Sequence, residues 1–319
     1  MRYQKIAITV SSLLLMTACS SPTGSAGSAE DFPSETVKII VPFAPGGSLD
    51  SNARIVAECL NESGGQWIVE NQEGGGGTIG VNNMLTAPTD GHTLAYVSSS
   101  GVALTPLQNE ETRYTADDLQ SISILTEAPA ALLVRAESPY ETAEEFFDAA
   151  ESGENPSIAT TGALGLYQLI TTQLAQEVPV NPVPFDGTAP AVTAALGGNA
   201  DAVIAEVSGS TLEHIESGRL RALATGATEP VEFLPDVPTF DSLGYDLPQS
   251  NNYGLFVSNT EIDDAVTEVI NQKVTECANS DDVRNAIGEQ FVLTPPLSGE
   301  EAQSVIDEAV AQYEQALEG

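Results

Sequence analysis

The stretch VKIIVPFAPGGSLDSNAR, residues 37–54, places a β-branched apolar run, a Gly-rich turn and a helical pattern in immediate succession. β-branched residues favour strands, and glycine adopts backbone angles that other residues avoid. A strand that enters a helix through such a turn aims the unpaired N–H groups of the first helical turn beyond the sheet, where the helix dipole also attracts anions. The stretch therefore predicts a βα unit with an anion-binding turn, formed by Gly46, Gly47, Ser48 as the helix N-cap, and Asp50 in the first turn.

The same arrangement recurs twice further along the chain. TTGALG at residues 160–165 and SSSG at residues 98–101 each follow an apolar run. Hydroxyls and backbone N–H groups both donate hydrogen bonds to anions. No Lys or Arg falls within the three loops, so we expect an anion to be held there by amides, hydroxyls and water. The additional contacts predicted at these ends are Ser98, Ser99, Ser100, Thr160, Thr161, Gly162 and Gly165.

Strands alternate with helices from residue 35 onward, a pattern typical of parallel βαβ units. Residues 121–135 predict two strands, and the chain after Tyr253 predicts one strand followed by helices near 263–278, 281–288 and 299–317. Because this last set has too few strands for its own sheet, we expect it to join the first set. The predicted fold is α/β and periplasmic-binding-protein-like, with two mixed, mostly parallel sheets, helices on both faces and a ligand cleft between two lobes. The predicted lobe I is 35–130 plus 252–319, and lobe II is 131–251, with hinge crossings near 130 and 245–252.

The charge balance excludes nucleic acid as a partner. The chain has 10 Lys plus Arg against 46 Asp plus Glu, a formal net charge of -36. Binding to phosphates requires clustered basic side chains, and the sequence contains no such cluster. So acidic a composition indicates a protein kept soluble outside the cell.

Little in the sequence favours a cofactor, a metal or catalysis. GGGTIG at residues 75–80 matches the dinucleotide pattern G-x-G-x-x-G, but the next strand ends in serines where an acidic ribose contact is needed. We interpret this run as a mobile rim loop and expect no cofactor. His92 and His214 are the only histidines, and no Cys or His cluster has metal-ligand spacing. We therefore predict no metal site and no enzymatic activity.

The amino terminus predicts export. Arg2 and Lys5 precede a short apolar run, which small residues follow in the order of a secretory signal. LMTACS at residues 15–20 resembles a bacterial lipobox, so residues 1–19 are predicted to be a lipoprotein signal ending at a lipidated Cys19, and residues 20–34 a flexible tether. Cys59 and Cys277 remain as an even pair on predicted helices of lobe I, and we predict a disulfide between them.

Seven stretches in order resemble the extracytoplasmic solute receptors of the tripartite tricarboxylate transporter system, often called Bug receptors. They cover essentially the whole mature chain. The stretches are VPFAPGGSLDSNAR (41–54), VENQEGGGGTIG (69–80), DGHTLAYVSS (90–99), TTGALG (160–165), VPFDGTAPAVTAALGGNADAV (183–203), IESGRLRALA (215–224) and LPDVPTFDSLGY (234–245). The resemblance implies a two-lobed receptor that captures a small carboxylate by Venus flytrap closure and delivers it to a membrane permease with one large and one small subunit. It also implies an extracytoplasmic protein, and the lipobox-like stretch at residues 15–20 predicts that a lipid anchor holds it at the membrane.

The resemblance implies carboxylate contacts on the loops at residues 43–50 and 160–165, which adds Phe43, Pro45 and Leu164 to the residues above. We further predict that Asp186, Gly187 and Thr188 line the wall of the cleft, together with the serines at 98–100. Glu206, if it faces the cleft, should repel a second carboxylate and favour a ligand with a hydroxyl or amine at that end. We expect the receptor to be a monomer.

Two other functions stay open at this point. The chain could serve as a solute sensor for a membrane histidine kinase, since nothing in it distinguishes sensing from transport. An exported enzyme acting on a carboxylate is the third candidate, but it would need a base and a nucleophile in the cleft, and the sequence offers neither.

Overall fold

The computed structural model describes residues 29–161, 165–185, 187–248 and 250–318, and the structural statements below concern these residues. Strands alternate with helices, as predicted. The strands are β1 Val37–Val41, β2 Trp67–Asn71, β3 Thr93–Ser98, β4 Leu119–Arg135, β5 Ser157–Thr161, β6 Asn181–Phe185, β7 Ala202–Glu206, β8 Leu220–Thr225, β9 Asn251–Asn259 and β10 Val292–Leu297. The helices are α1 Ser48–Glu62, α2 Thr78–Leu85, α3 Ser99–Ala103, α4 Thr105–Gln108, α5 Ala143–Ala149, α6 Leu166–Glu177, α7 Thr188–Leu196, α8 Gly209–Glu216, α9 Asp264–Ala278, α10 Asp281–Ile287 and α11 Gly299–Glu318.

The strands form one connected sheet, in the order β2-β1-β3-β9-β4-β7-β5-β6, and β8 and β10 both pair with β4. The α/β class is confirmed, but the prediction of two separate sheets is not. The reason is β4, which pairs with β9 as far as Pro129 and with β7 and β8 from Ala130 onward. We call β1, β2, β3, β9, β10 and β4 up to Pro129 the first half of the sheet, and the remaining strands with the rest of β4 the second half.

Residues 119–135 are a single strand, where the sequence predicted two. Pro129 suggested a break, because proline cannot donate to a strand ladder. In the structure Pro129 lies at the change of partner, where its carbonyl oxygen accepts from the amide of Val207 and the next amide, of Ala130, donates to Ser250. The missing N–H therefore leaves no partner unsatisfied, and the strand continues.

The sheet is mixed, with fewer parallel pairings than predicted. Among the described residues, β1 with β2, β1 with β3, β5 with β6 and β5 with β7 are parallel, while the five pairings of β4 and β9 with their neighbours are antiparallel. The sequence also missed β10. Its segment VLTPPL contains two prolines, and the register with β4 shifts between Val292 and Leu297, so local pattern gave no strand signal.

Helices pack on both faces of each half. In the first half, α1 and α9 bury Val56, Leu60 and Ile270 against the sheet. Cys59 of α1 and Cys277 of α9 form a disulfide with Cα atoms 5.9 Å apart, within the usual range. Helix α11 contacts both halves, since Ile306 packs on the core of the first half and Tyr313 on that of the second.

No helix within the described residues is long and apolar enough to cross a membrane. The predicted signal, Cys19 and most of the tether lie outside the described residues, as do the predicted contacts Gly162, Leu164 and Asp186.

Candidate functional site

The two sets of parallel strands point toward each other across the middle of the sheet. Ser98 at the end of β3 pairs with Gly254 of β9, which pairs with Thr126 of β4. Glu206 at the end of β7 pairs with Ala130 of β4. Thr126 and Ala130 are four residues apart, about 13 Å along an extended strand. We call residues 126–130 of β4 and residues 250–254, at the start of β9, the waist, and the carboxyl ends of both parallel sets meet there.

The Gly-rich turn after β1 is organised by Asp50. Its carboxylate accepts from the amide of Gly46 at 2.8 Å, from Asn71 at 2.9 Å, and forms an ion pair of 2.8 Å with Arg54. Asn71 also donates to the carbonyl oxygen of Phe43 at 3.0 Å, which joins the end of β2 to the turn. Asp50 is 4% exposed and therefore supports the turn from below, a role that sequence reasoning did not separate from ligand contact.

The pKa of Asp50 lies below its usual value. Burial alone would raise this pKa, but hydrogen bonds from Arg54, the Gly46 amide and Asn71 outweigh burial and hold the carboxyl ionised. The carboxylate of Asp50 is thus itself an anion bound by the turn, and the Gly46 amide that donates to it is not available to a ligand.

The helix N-cap is Gly47 and not Ser48, which lies inside the first turn of α1. Only an N-cap side chain can accept from the next amides, so Ser48 cannot have the predicted capping role. The structure shows no acceptor among the described residues for the amides of Ser48 and Leu49, and residues 44–48 are exposed. Gly46 has a φ of +89°, which favours glycine, whereas a Cβ on Gly47 would meet only the carbonyl oxygen of Ala44 at 3.8 Å. The turn therefore presents free helix amides to solvent.

The Gly-rich run at 74–77 packs beside this turn. A Cβ on Gly77 would lie 3.3 Å from the ring of Phe43, and Asn109 donates to the carbonyl oxygen of Gly75 at 3.1 Å. Helix α2 begins directly after the run. The Gly-rich run thus lies at the carboxyl end of β2, beside the turn that follows β1. That it is a mobile rim loop stays a prediction.

The three serines after β3 have separate roles. Ser98 is the N-cap of α3, since its Oγ accepts from the amide of Gly101, and buried Ser99 accepts from the amide of Tyr253. Ser100 is half-buried and donates to Asn252 Oδ1 at 3.3 Å. Only Ser100 of the three combines partial exposure with a contact to the waist.

Glu206 forms the polar centre of the second half. Its Oε1 accepts from Ser208 at 2.6 Å, and its Oε2 accepts from Asn252 at 2.9 Å and from the Tyr167 hydroxyl at 3.2 Å. Burial, reinforced by the Glu206 charge, holds the pKa of Tyr167 well above its ordinary value. Burial likewise raises the pKa of Tyr96 to about 12, and the Glu206 charge contributes to that rise. Both phenols therefore stay protonated and remain donors.

Asn252, Tyr167 and Ser208 were missed by sequence reasoning. Asn252 joins the two halves, because it accepts from Ser100 of the first and donates to Glu206 of the second. The only signal in the sequence was the pair of asparagines at the start of β9, which is weak without knowledge of its neighbours.

The hydroxyls after β5 and β6 lie together. Thr161 Oγ1 and Thr188 Oγ1 are 3.3 Å apart, and both residues are half-buried. Gly187 is the N-cap of α7 with a φ of +109°. Thr160 is fully buried and donates to Gln168 at 2.6 Å, so it supports the loop from inside. The amide of Gly165, the N-cap of α6, donates to Gln108 of α4 at 2.8 Å. This hydrogen bond links the two halves of the sheet.

One cluster could in principle hold a metal, although sequence spacing showed none. Ligand atoms of Glu35, Asp90 and His92 lie within 4.8 Å of one another. These residues precede β1 and β3, so the cluster is at the opposite end of the sheet from the waist. Glu35 and Asp90 are exposed, and such acidic groups are common without an ion.

Comparisons with known proteins agree with the geometry. The profile of the "Tripartite tricarboxylate transporter family receptor" matches residues 52–315. BugT of Bordetella pertussis is 30% identical over 272 residues, which cover 82% of each chain. MatC of Rhodopseudomonas palustris, solved with bound malate, is 27% identical with a TM-score of 0.76, covering 90% of this chain and 100% of its own. The periplasmic binding protein BugD has a TM-score of 0.78 at 24% identity, covering 90% of this chain and 98% of its own.

Proposed function

Because the chain belongs to the tripartite tricarboxylate transporter receptor family, whose members bind solutes, we propose that it captures a small carboxylate outside the cytoplasm and delivers it to a membrane permease of that system. The observation that carries the proposal is the convergence of two donor-rich strand ends on one waist. The first is the Gly-rich turn, where the amides of Ser48 and Leu49 have no acceptor among the described residues, and the second is the hydroxyl pair Thr161 and Thr188. Amides at a helix start bind carboxylates without any basic side chain.

We propose that the two halves of the sheet act as lobes, with boundaries at 35–130 plus 252–319 and at 131–251. Strands β4 and β9 connect these lobes. Pairing partners change at residues 129–130 of β4 and at residues 250–251, where β9 begins. Bending at these two positions would bring Thr161 and Thr188 toward the Gly-rich turn. Helix α11 contacts both cores, so it would have to bend or slide during closure.

The ligand's first carboxylate would be held by the Ser48 and Leu49 amides, and closure would add the loop at 160–165. The malate bound to MatC, at 27% identity, supports a small carboxylate as the class of ligand. The lipidated Cys19 would keep the receptor near its permease. Monomeric capture followed by docking on the permease completes the proposed cycle.

Isothermal titration calorimetry with di- and tricarboxylates, hydroxy acids and aromatic acids tests the function, and Gly47→Val tests the site. Valine fits the extended backbone of Gly47 (φ -77°), but its branched side chain would block the approach of a carboxylate to the amides behind it. We expect at least a hundredfold loss of affinity with little change in thermal unfolding. The matched control is Ala265→Val, an exposed residue in the first turn of α9, which should bind as the wild type does. Wild-type affinity in Gly47→Val would refute the turn as the carboxylate site.

A further inference from the structure

Glu206 is a half-buried carboxylate whose hydrogen-bond donors are all neutral. Among the described residues, its hydrogen-bond donors are Ser208, Asn252 and Tyr167. The ion pairs in the described part of the chain join Lys38 to Glu70, Arg54 to Asp50, His92 to Asp90 and Arg284 to Glu289, so none includes Glu206. A charge removed from water is stabilised best by an opposite charge, and neutral donors compensate it only in part. The position therefore favours a cation brought by a ligand.

The neighbours of Glu206 suit an ammonium group. An ammonium donates three hydrogen bonds and accepts none, so it needs several oxygen acceptors in one place. Ser208 Oγ lies 2.6 Å from Glu206 Oε1. Ser100 Oγ is connected to Glu206 through Asn252, because Ser100 donates to Asn252 and Asn252 donates to Glu206. Tyr167 stays protonated because burial and the Glu206 charge raise its pKa, so it keeps the carboxylate oriented without neutralising it.

The donors for a carboxylate lie on other strand ends. The Ser48 and Leu49 amides follow β1, and Thr161 and Thr188 follow β5 and β6, whereas Glu206 ends β7 at the waist. Opposite charges are therefore favoured at different parts of one cleft. We infer that Glu206 forms an amine subsite, and that the ligand of this receptor is a small carboxylate that also carries a protonated amine. The inference rests on the proposed receptor function and narrows its substrate class.

A simple dicarboxylate should fit this arrangement poorly. Its second carboxylate would approach Glu206, and two like charges close together repel each other. A hydroxyl could donate one hydrogen bond to Glu206 but would leave its charge uncompensated. An amine should thus bind more tightly than a hydroxyl or a hydrogen atom at the same position.

The test is calorimetry with matched ligand pairs that differ only by an amine: propionate and β-alanine, butyrate and γ-aminobutyrate, succinate and aspartate, glutarate and glutamate. Malate adds the hydroxyl counterpart of aspartate. Each ligand is titrated into the wild-type protein, Glu206→Gln and Glu127→Gln, and thermal unfolding of each variant confirms that it is folded. Glu127 is the matched control, since it is also a waist carboxylate that accepts from Asn251 and Tyr253. Asn251 and Tyr253 alternate with Asn252 along β9, so they point to the opposite face of the sheet.

We expect the amine-bearing member of at least one pair to bind the wild type about tenfold or more tightly than its partner. Glu206→Gln should reduce that ratio toward one, and Glu127→Gln should keep it. If amine-free acids bind as tightly as their partners, or if Glu206→Gln leaves the ratio unchanged, the inference is wrong while the receptor function stands. If only other carboxylates such as adipate bind, the same conclusion applies. Failure of every carboxylate to bind would overturn the proposed function and this inference with it.

Discussion

At the scale of single residues, Asp50 shows how a motif residue can act indirectly. Its place in the first turn of α1 suggested direct contact with a ligand. In the structure its carboxylate connects the Gly46 amide, Arg54 and Asn71 beneath the exposed turn. Asp50 is therefore a positioning residue, and the amides that remain for an anion are those of the residues preceding it.

Replacement of Asp50 by Asn should destabilise the protein at neutral pH by about 1–3 kcal/mol, because it removes the charge-assisted hydrogen bonds of a buried carboxylate. The folded-state pKa of Asp50 is lowered, so its stabilisation is fully present above the unfolded-state pKa near 4 and is lost as pH falls through the folded value. The variant should therefore lose less stability than the wild type between pH 5 and pH 3. Urea unfolding at both pH values measures this difference.

Asp236→Asn, at an exposed aspartate whose side chain has no hydrogen bond to any residue that the structure describes, is the control and should follow the wild type at both pH values. Equal acid sensitivity of the wild type and Asp50→Asn would contradict the internal role of Asp50.

At the scale of elements, the disulfide between α1 and α9 connects segments that are 218 residues apart in the chain. Replacing both cysteines by Ala should lower the free energy of unfolding by about 2–5 kcal/mol, since the crosslink restricts a very long loop in the unfolded chain. Cys59 lies near the carboxyl end of α1, at the other end of the helix from the Gly-rich turn, so ligand affinity should not change. Guanidinium unfolding and calorimetry on the same preparation check both statements, and a double variant as stable as the wild type would show that the crosslink contributes nothing.

At the scale of the whole molecule, negative charge far exceeds positive charge. The chain has 46 acidic residues and 10 basic ones. Helix α11 carries Glu314 and Glu318 near its carboxyl end and contains no Lys or Arg. Acidic groups at that end are unfavourable to the helix dipole, and net charge of this size repels itself in the folded state. The folded protein should therefore depend on screening by salt.

Raising NaCl from 0.01 M to 1 M shortens the Debye length from about 30 Å to about 3 Å. We expect the midpoint of thermal unfolding to rise by several degrees, given that about 1 kcal/mol corresponds to ~2–4 °C already for domains of about 150–250 residues. Sucrose at matched osmolality separates screening from general exclusion effects. A midpoint that is flat or falls with NaCl would show that self-repulsion is unimportant here.

Sequence reasoning predicted the local features well for a physical reason. β-branched runs, glycine turns and helical periodicity act over a few neighbouring residues, so the βα units, the three C-terminal helices and the Gly-rich turn before α1 could be derived directly. It failed where local signals misled, as at Pro129, which interrupts a pattern without interrupting a strand. It also failed at β10, whose prolines hide a strand paired at its ends.

What the sequence alone determined is thus the class of the fold, the family and the strand ends that carry hydroxyls and free amides. Only the tertiary structure decided that β4 unites both halves in one sheet and that Asn252 meets Glu206, 46 residues away, beside Tyr167. The contacts of Glu206 with Asn252 and Tyr167 depend on the register between β4, β9 and β7, and this register is set by the packing of distant segments. No local pattern encodes such a register, and so the polar cluster around Glu206 could not be derived before the fold was known.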